Sequence, residues 1–143
     1  MKSRESAETY LKAIFLLRQK LDHVRSIDVA NDLGVSKPSV SVAVKKLCNE
    51  GLLTMDCDRN LILTEDGLKY AASIFERHVV IENFLTDILD VGKENAHKDA
   101  CRLEHLVSQE TFSKIKEACG EKTKPHGNPQ NGWFEKDFPT IVL

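Results

Sequence analysis

The chain has 143 residues, enough for one domain or two small ones, with 41% hydrophobic and 29% charged residues and a formal net charge of -2. That balance argues against a non-specific polyanion binder and leaves DNA to a local basic patch, if to anything. No apolar run approaches the length of a membrane span, and the start "MKSRESAETY" has no apolar secretory core, so a cytoplasmic protein is expected. Residues 7–21 repeat apolar side chains at helical spacing: Tyr10, Ile14 and Leu17 form one stripe, with Leu11 and Phe15 beside it. Ser26 reads as the N-cap of a second helix, "IDVANDL", which Gly34 closes. Ser36 is the N-cap of a third, "KPSVSVAVKKLCNE", with Pro38 tolerated in its first turn, Val40, Val44 and Leu47 inward, and Gly51 at its end.

Two helices joined by a short turn containing glycine make a helix-turn-helix. The following "LLTMDCDRNLILT" reads as a β-hairpin turning at 58–60, which completes a winged helix-turn-helix. Thr64 then caps a long helix, with Glu65 and Asp66 at its positive end. Another helix is expected after "DVGKEN", ending near Ser108, and Ser108 caps a last short one, "QETFSKIKEAC". The segment 121–143 has no clear period and reads as an irregular tail. The expected organisation is therefore mostly α: a winged helix-turn-helix over 1–63, a helical unit over 64–120, and the tail.

In a helix-turn-helix the second helix enters the major groove and reads base edges with its N-terminal residues. With the apolar positions turned inward, Ser36, Lys37, Pro38, Ser39, Ser41, Val42, Lys45 and Lys46 are left for solvent or DNA. The Ser and Lys groups suit phosphates, whereas Pro38, Ser39 and Val42 suit base edges or thymine methyls. No Arg, Asn or Gln stands at the exposed start of this helix, so specificity leans on DNA shape. Arg59 at the wing tip is a phosphate or minor-groove candidate. The competing reading is a small protein-interaction domain with a solvated lysine face.

The segment "HKDACRLEH" places His97, Cys101 and His105 four residues apart, with Glu104 in the same turn. His78 and Glu82 share a face of the preceding helix. These six side chains offer imidazole, thiolate and carboxylate donors, a mixed set for borderline divalent transition metals. Six donors exceed one tetrahedral site and imply two adjacent ions, or one ion with further groups behind its ligands. A lone His–Glu pair at this spacing is more often a surface contact. Cys48, Cys57 and Cys119 read as small hydrophobic residues, and His23 and His126 as surface or loop residues.

The pieces "AETYLKAIFLL", "VSKPSVSVAVKKLCNEGLL", "LTEDGLKYA", "ERHVVIENFL", "HKDACRLEH" and "PHGNP" resemble, in this order, the diphtheria-toxin-repressor and manganese-transport-regulator (DtxR/MntR) family of metal-dependent transcriptional repressors. The resemblance implies a winged helix-turn-helix followed by a helical dimerisation domain, a homodimer on a palindromic DNA operator, and two metal sites. Carried over, Cys101, Glu104 and His105 match the primary site of the iron-type members, and His78, Glu82 and His97 their ancillary site. Cys101 resembles the iron branch, since the manganese branch has a carboxylate in that motif, and softer sulfur favours Fe(II) over Mn(II). Thr9 stands where the family has a Met or Asp ligand, and Lys12 where the manganese branch has a carboxylate. The primary site is then expected to use water, Glu8, or three protein ligands alone. With only a short tail after "PHGNP", the SH3-like domain of larger members is expected to be missing. The readings that compete with metal-dependent repression of metal-homeostasis genes are a thiol-redox regulator built on Cys101 and a metal-independent winged-helix regulator. An enzyme is disfavoured, because no HExxH helix, phosphate-binding glycine loop or Ser/His/Asp pattern is present.

Overall fold

The structure, a computed structural model, describes residues 2–120, with side chains from Ala7 onward; the expected tail, with His126 and "PHGNP", lies outside the described residues. The described chain runs α1 (Lys2–Arg18), α2 (Ser26–Leu33), α3 (Lys37–Asn49), β1 (Leu53–Met55), β2 (Leu61–Leu63), α4 (Glu65–Asn83), a π-helical turn (Phe84–Ile88), α5 (Lys93–Leu106) and α6 (Gln109–Cys119). It divides into two compact units, the first ending at Ser73 and the second beginning at Ile74, so α4 contributes residues to both.

In the first unit α1 packs on α2 and α3, and Leu11, Ile14, Phe15, Val29, Val40 and Leu47 fill the space between them. The Ser36 hydroxyl accepts the Ser39 N–H at 3.3 Å, as expected of an N-cap. At α2 the cap differs from expectation by one residue. Arg25 is the N-cap and Ser26 the first helical residue, because the Asp28 carboxylate reaches back to accept the Arg25 N–H at 2.8 Å. Gly34 and Gly51 close α2 and α3 at φ of 65° and 75°, a region in which a side chain is strained. The Thr64 hydroxyl accepts the Gly67 N–H at 3.0 Å and so caps α4.

The wing is an antiparallel pair in the register Leu53↔Leu63, Thr54↔Ile62, Met55↔Leu61. Its base is tied to the helices by the Leu61 N–H, which donates to the Val24 carbonyl at 2.7 Å. The turn is organised by Asp56. Oδ1 accepts the N–H groups of Asn60 (2.8 Å) and Asp58 (2.9 Å), and Oδ2 accepts from Asn60 Nδ2 at 3.0 Å. Arg59 takes a left-handed φ of 63° at the tip. The backbone N–H and side chain of Asn60 hold the Asp56 carboxyl below its ordinary value of 3.8. A depressed folded-state pKa stabilises above the unfolded value, and that contribution disappears as pH falls through the folded one. The Asp58 and Asn60 amides are therefore expected to stay protected from hydrogen exchange down to about pH 3.8 and to lose protection below it. In Asp56→Ala they exchange freely at neutral pH; equal protection in the variant would remove Asp56 as the organiser of the turn.

In the second unit Ile74, Val80 and Ile81 of α4, Ala96 and Ala100 of α5, and Phe112 and Cys119 of α6 are buried. The small side chains of Ala96 and Ala100 make a thin rail along α5, and Glu104, one turn further, ends it. The Ser108 hydroxyl accepts the Thr111 N–H at 3.1 Å and caps α6 as expected. Burial pushes the Cys119 thiol up, with the charge of Asp87 adding to the shift, so this sulfur stays protonated and packs as an apolar group. Cys57 departs from expectation: it is exposed in the wing turn, where the chain has no core to offer it.

Candidate metal centre

Five of the six candidate donors form one continuous network in the second unit, and the sixth joins through Glu104. His78 and Glu82 are one turn apart near the end of α4, and His78 Nε2 lies 2.8 Å from Glu82 Oε2. From α5, Glu104 Oε2 reaches the other ring nitrogen, His78 Nδ1, also at 2.8 Å. Glu82 Oε2 is 3.3 Å from His97 Nδ1 as well, and the two imidazoles meet edge to face with centroids 4.9 Å apart. Cys101 Sγ lies 3.8 Å from His78 Nδ1 and 3.9 Å from His97 Nε2. His105 Nε2 contacts Glu104 Oε1 at 3.1 Å.

Burial grades this network from inside to outside. His78 and Glu104 are only 6% and 2% exposed, whereas the His97 side chain is 61% exposed. A buried carboxylate facing two imidazoles is costly to keep unless each group is hydrogen-bonded or shares a cation. One nitrogen from each of His78 and His97, together with the Cys101 sulfur, lies within 4.8 Å of the others. Nitrogen, sulfur and carboxylate donors on that scale fit a divalent transition metal. Of the expected rail, His97 and Cys101 lie at the rim of the buried face of α5, with Ala96, Ala100 and Glu104 beneath them, whereas the His105 side chain is itself buried, only 4% exposed. Cys101, assigned by resemblance to a set with Glu104 and His105, stands beside His78 and His97.

Two features of this centre are absent from the sequence reading. The Arg77 guanidinium donates to the carbonyls of Glu104 (3.1 Å) and Val107 (2.8 Å) and lies 5.1 Å from the Phe112 ring centroid. It satisfies the free carbonyls at the end of α5, where a cation is also favoured by the helix dipole, and so fixes the turn that carries Glu104 and His105. Position 77 carries no signal of this, since the partner carbonyls belong to another helix. The second feature is the π-helical turn that begins two residues after Glu82, with the Leu89 N–H bonded to the Phe84 carbonyl. Such turns often accompany functional sites, but they leave no periodicity to read.

Glu8 and Thr9, the first-helix candidates, belong to the first unit. Glu8 accepts a hydrogen bond from the Tyr70 hydroxyl and lines a cleft with Lys46, Glu50 and Leu52. Thr9 and Lys12 are half-buried. On α3, Ser36, Lys37, Pro38, Ser39, Ser41, Val42 and Lys45 are exposed as expected, and Arg59 is exposed at the wing tip. Lys46 differs: it is half-buried, and its side chain is shared with the Glu8 cleft. Val42 is 71% exposed, an apolar side chain in the middle of the outward face. Among the described residues no helix is long and apolar enough to cross a membrane.

Two family models cover most of the chain. Residues 3–61 match the iron dependent repressor N-terminal DNA binding domain, and residues 64–132 match the iron dependent repressor metal binding and dimerisation domain. The transcriptional regulator MntR of Escherichia coli O6:H1 is 40% identical over 109 residues, 76% of this chain and 70% of that protein. The iron-dependent repressor IdeR of Mycobacterium tuberculosis is 33% identical over 132 residues, 92% of this chain and 57% of that one. Among solved structures, the manganese regulator SloR matches with a TM-score of 0.71 at 33% identity, over 78% of this chain and 52% of that chain. A manganese-dependent transcriptional repressor in complex with manganese matches with a TM-score of 0.72 at 31% identity, over 80% and 52%. The chain spans about half the length of these solved structures.

Proposed function

Because the chain belongs to the iron-dependent repressor family, we propose that it is a metal-dependent DNA-binding transcriptional repressor that controls genes of metal-ion homeostasis. The observation that carries the metal half of this reading is the network of His78, Glu82, His97, Cys101, Glu104 and His105, buried at one end and open at the other. The thiol among its donors favours Fe(II), with Mn(II) as the alternative. The DNA half rests on the exposed face of α3, with Ser36, Lys37, Pro38, Ser39, Ser41, Val42, Lys45 and Lys46, and on Arg59 of the wing. We divide the chain functionally at 63/64 and 120/121, into reader, sensor and tail, and place the protein in the cytoplasm.

A divalent ion held by these donors would supply the positive charge that lets the Glu82 and Glu104 carboxylates and the Cys101 sulfur face the same small volume. The protein side of the switch follows from chain connectivity. His78 and Glu82 occupy the last part of α4, whose first part belongs to the unit that carries α3. Fixing the end of α4 against α5 therefore restrains the segment through which the reader is attached. Exposed Ile88, Leu89 and Leu106 in the second unit are apolar surface that a second copy would cover. Two-fold symmetry then asks for a palindromic operator with half-sites about one helical turn apart. If the ion favours the dimer that matches such a site, DNA must tighten metal binding by the same factor.

The test is selection of duplexes from a random pool by the full chain, anaerobically, with Fe(II), with Mn(II), and with chelator. Recovery of a palindrome only with metal is the expected result. Equal recovery under chelation would leave a metal-independent regulator. Recovery that depends on oxidant rather than metal would make Cys101 a redox switch.

A further inference from the structure

In the first unit a buried amide lies directly behind the wing tip. Asn60 is only 7% exposed, and such a group is costly to bury unless its polar atoms are paired. Each is paired here. The Asn60 N–H and Nδ2 donate to the two carboxylate oxygens of Asp56 at 2.8 and 3.0 Å, and the Asn60 carbonyl accepts the Asp56 N–H at 3.2 Å. The remaining atom, Oδ1, accepts from Arg25 Nε at 3.4 Å, and Arg25 is the N-cap of α2. One residue along on either side of this contact, the Leu61 N–H donates to the Val24 carbonyl. Asparagine suits both neighbours: aspartate would offer Arg25 an acceptor but set a second carboxylate against Asp56, and leucine would fill the space and pair with neither.

Between these clamped residues stands Arg59. Its N–H donates to the Asp56 carbonyl at 3.0 Å, and its backbone is left-handed at φ 63°, a conformation suited to glycine. A residue with a side chain persists there only where its surroundings over-determine it, and Asp56 and Asn60 do so from both sides. The result is an exposed cation at the tip. We propose that Asn60 is a positioning residue for DNA binding. With Asp56 it fixes Arg59 at the wing tip, and through Arg25 it ties that tip to the start of α2, so that the guanidinium meets a backbone phosphate while α3 lies in the major groove. The inference rests on the DNA half of the reading above. It adds Arg25, Asp56 and Asn60 as groups that act through Arg59 rather than by touching DNA.

The test is binding of a fluorescent mixed-sequence DNA duplex to the reduced full chain with Mn(II), followed by anisotropy over a series of salt concentrations. A phosphate contact is independent of sequence, and each one lost lowers the slope of log affinity against log salt by about 0.9. Arg59→Gly is expected to lower that slope and weaken binding about tenfold. It should unfold in urea no earlier than wild type, because glycine accepts the left-handed backbone. Asn60→Ala and Arg25→Ala are expected to reproduce the loss of slope although both keep Arg59; Arg25 is exposed, so its truncation tests the clamp without opening the core. In the Arg59→Gly background neither costs further affinity, since the group they position is gone. Losses that persist undiminished in that background overturn the inference, because the two residues then act on the wing as a whole. A wild-type slope in Asn60→Ala overturns it as well. An unchanged slope in Arg59→Gly does the same while leaving the DNA reading to α3, and a wild type that binds no duplex overturns both.

Discussion

His78→Ala is expected to abolish metal-dependent DNA binding while leaving the winged helix-turn-helix folded. His78 is the member of the network that most others touch: Glu82 and Glu104 at 2.8 Å and Cys101 at 3.8 Å, with the His97 ring beside it. Altering even a group behind a ligand typically weakens metal binding 10–100-fold, so removing this ring is expected to cost at least about 100-fold. It also takes away one of the groups facing Glu104, a carboxylate buried to 2% exposure. Leaving such a charge short of a partner costs about 3–5 kcal/mol in comparable buried pairs, reduced here because His105 Nε2 still lies 3.1 Å from its other oxygen. Urea unfolding of the metal-free variant separates the two consequences, since a stability loss appears without metal and an affinity loss does not. A variant that still requires metal at unchanged concentration would remove His78 from the centre.

What the sequence makes legible here is what is local. Ser36, Thr64 and Ser108 cap the helices they precede, because a hydroxyl three residues before a free N–H needs no tertiary context. Arg25 is the exception: Asp28 reaches back to its N–H, so the cap is set by the third helical residue rather than by the hydroxyl of Ser26. Likewise α5 begins at Lys93, earlier than the apolar pattern suggests, since a first turn of Lys93, Glu94 and Asn95 has no periodicity but does place an acid at the positive helix end.

The site was legible as residue types and spacing, not as pairing. Four-residue steps put His97, Cys101 and His105 on one side of a helix whatever it packs against. Which of them meets His78 depends on the packing of α5 against the end of α4, and there the small Ala96 and Ala100 decide how deep α5 sits. That depth brings Glu104 and Cys101 to the same ring nitrogen of His78, Nδ1, a relation no spacing within one helix encodes. Arg77 is illegible for the same reason. Its partners are backbone carbonyls, which every residue has.

Gly67→Ala sets two effects of opposite sign against each other, and packing is expected to win. Gly67 lies in the first turn of α4, where replacing glycine by alanine in an exposed helix would stabilise by about 1 kcal/mol. At this position an added Cβ would stand 1.9 Å from the carbonyl oxygen of Leu52 and 2.8 Å from its carbonyl carbon. Both are backbone atoms, so no side-chain rotation relieves the overlap. The same oxygen accepts the Thr64 N–H at 3.1 Å, which ties the residue before β1 to the cap of α4. Overpacking of a well-filled interface costs typically about 1–3 kcal/mol, and an approach this close belongs at the upper end, so net destabilisation of about 2 kcal/mol is expected after the helix gain. The damage should be unequal across the chain. Leu52 leads directly into Leu53 of the wing, so DNA affinity is expected to fall, whereas every residue of the metal network lies in the other unit and metal affinity in the absence of DNA should stay unchanged. An unfolding midpoint at or above wild type would mean that the Leu52 backbone yields at little cost, and that the close contact between α4 and the wing does not set the wing's position.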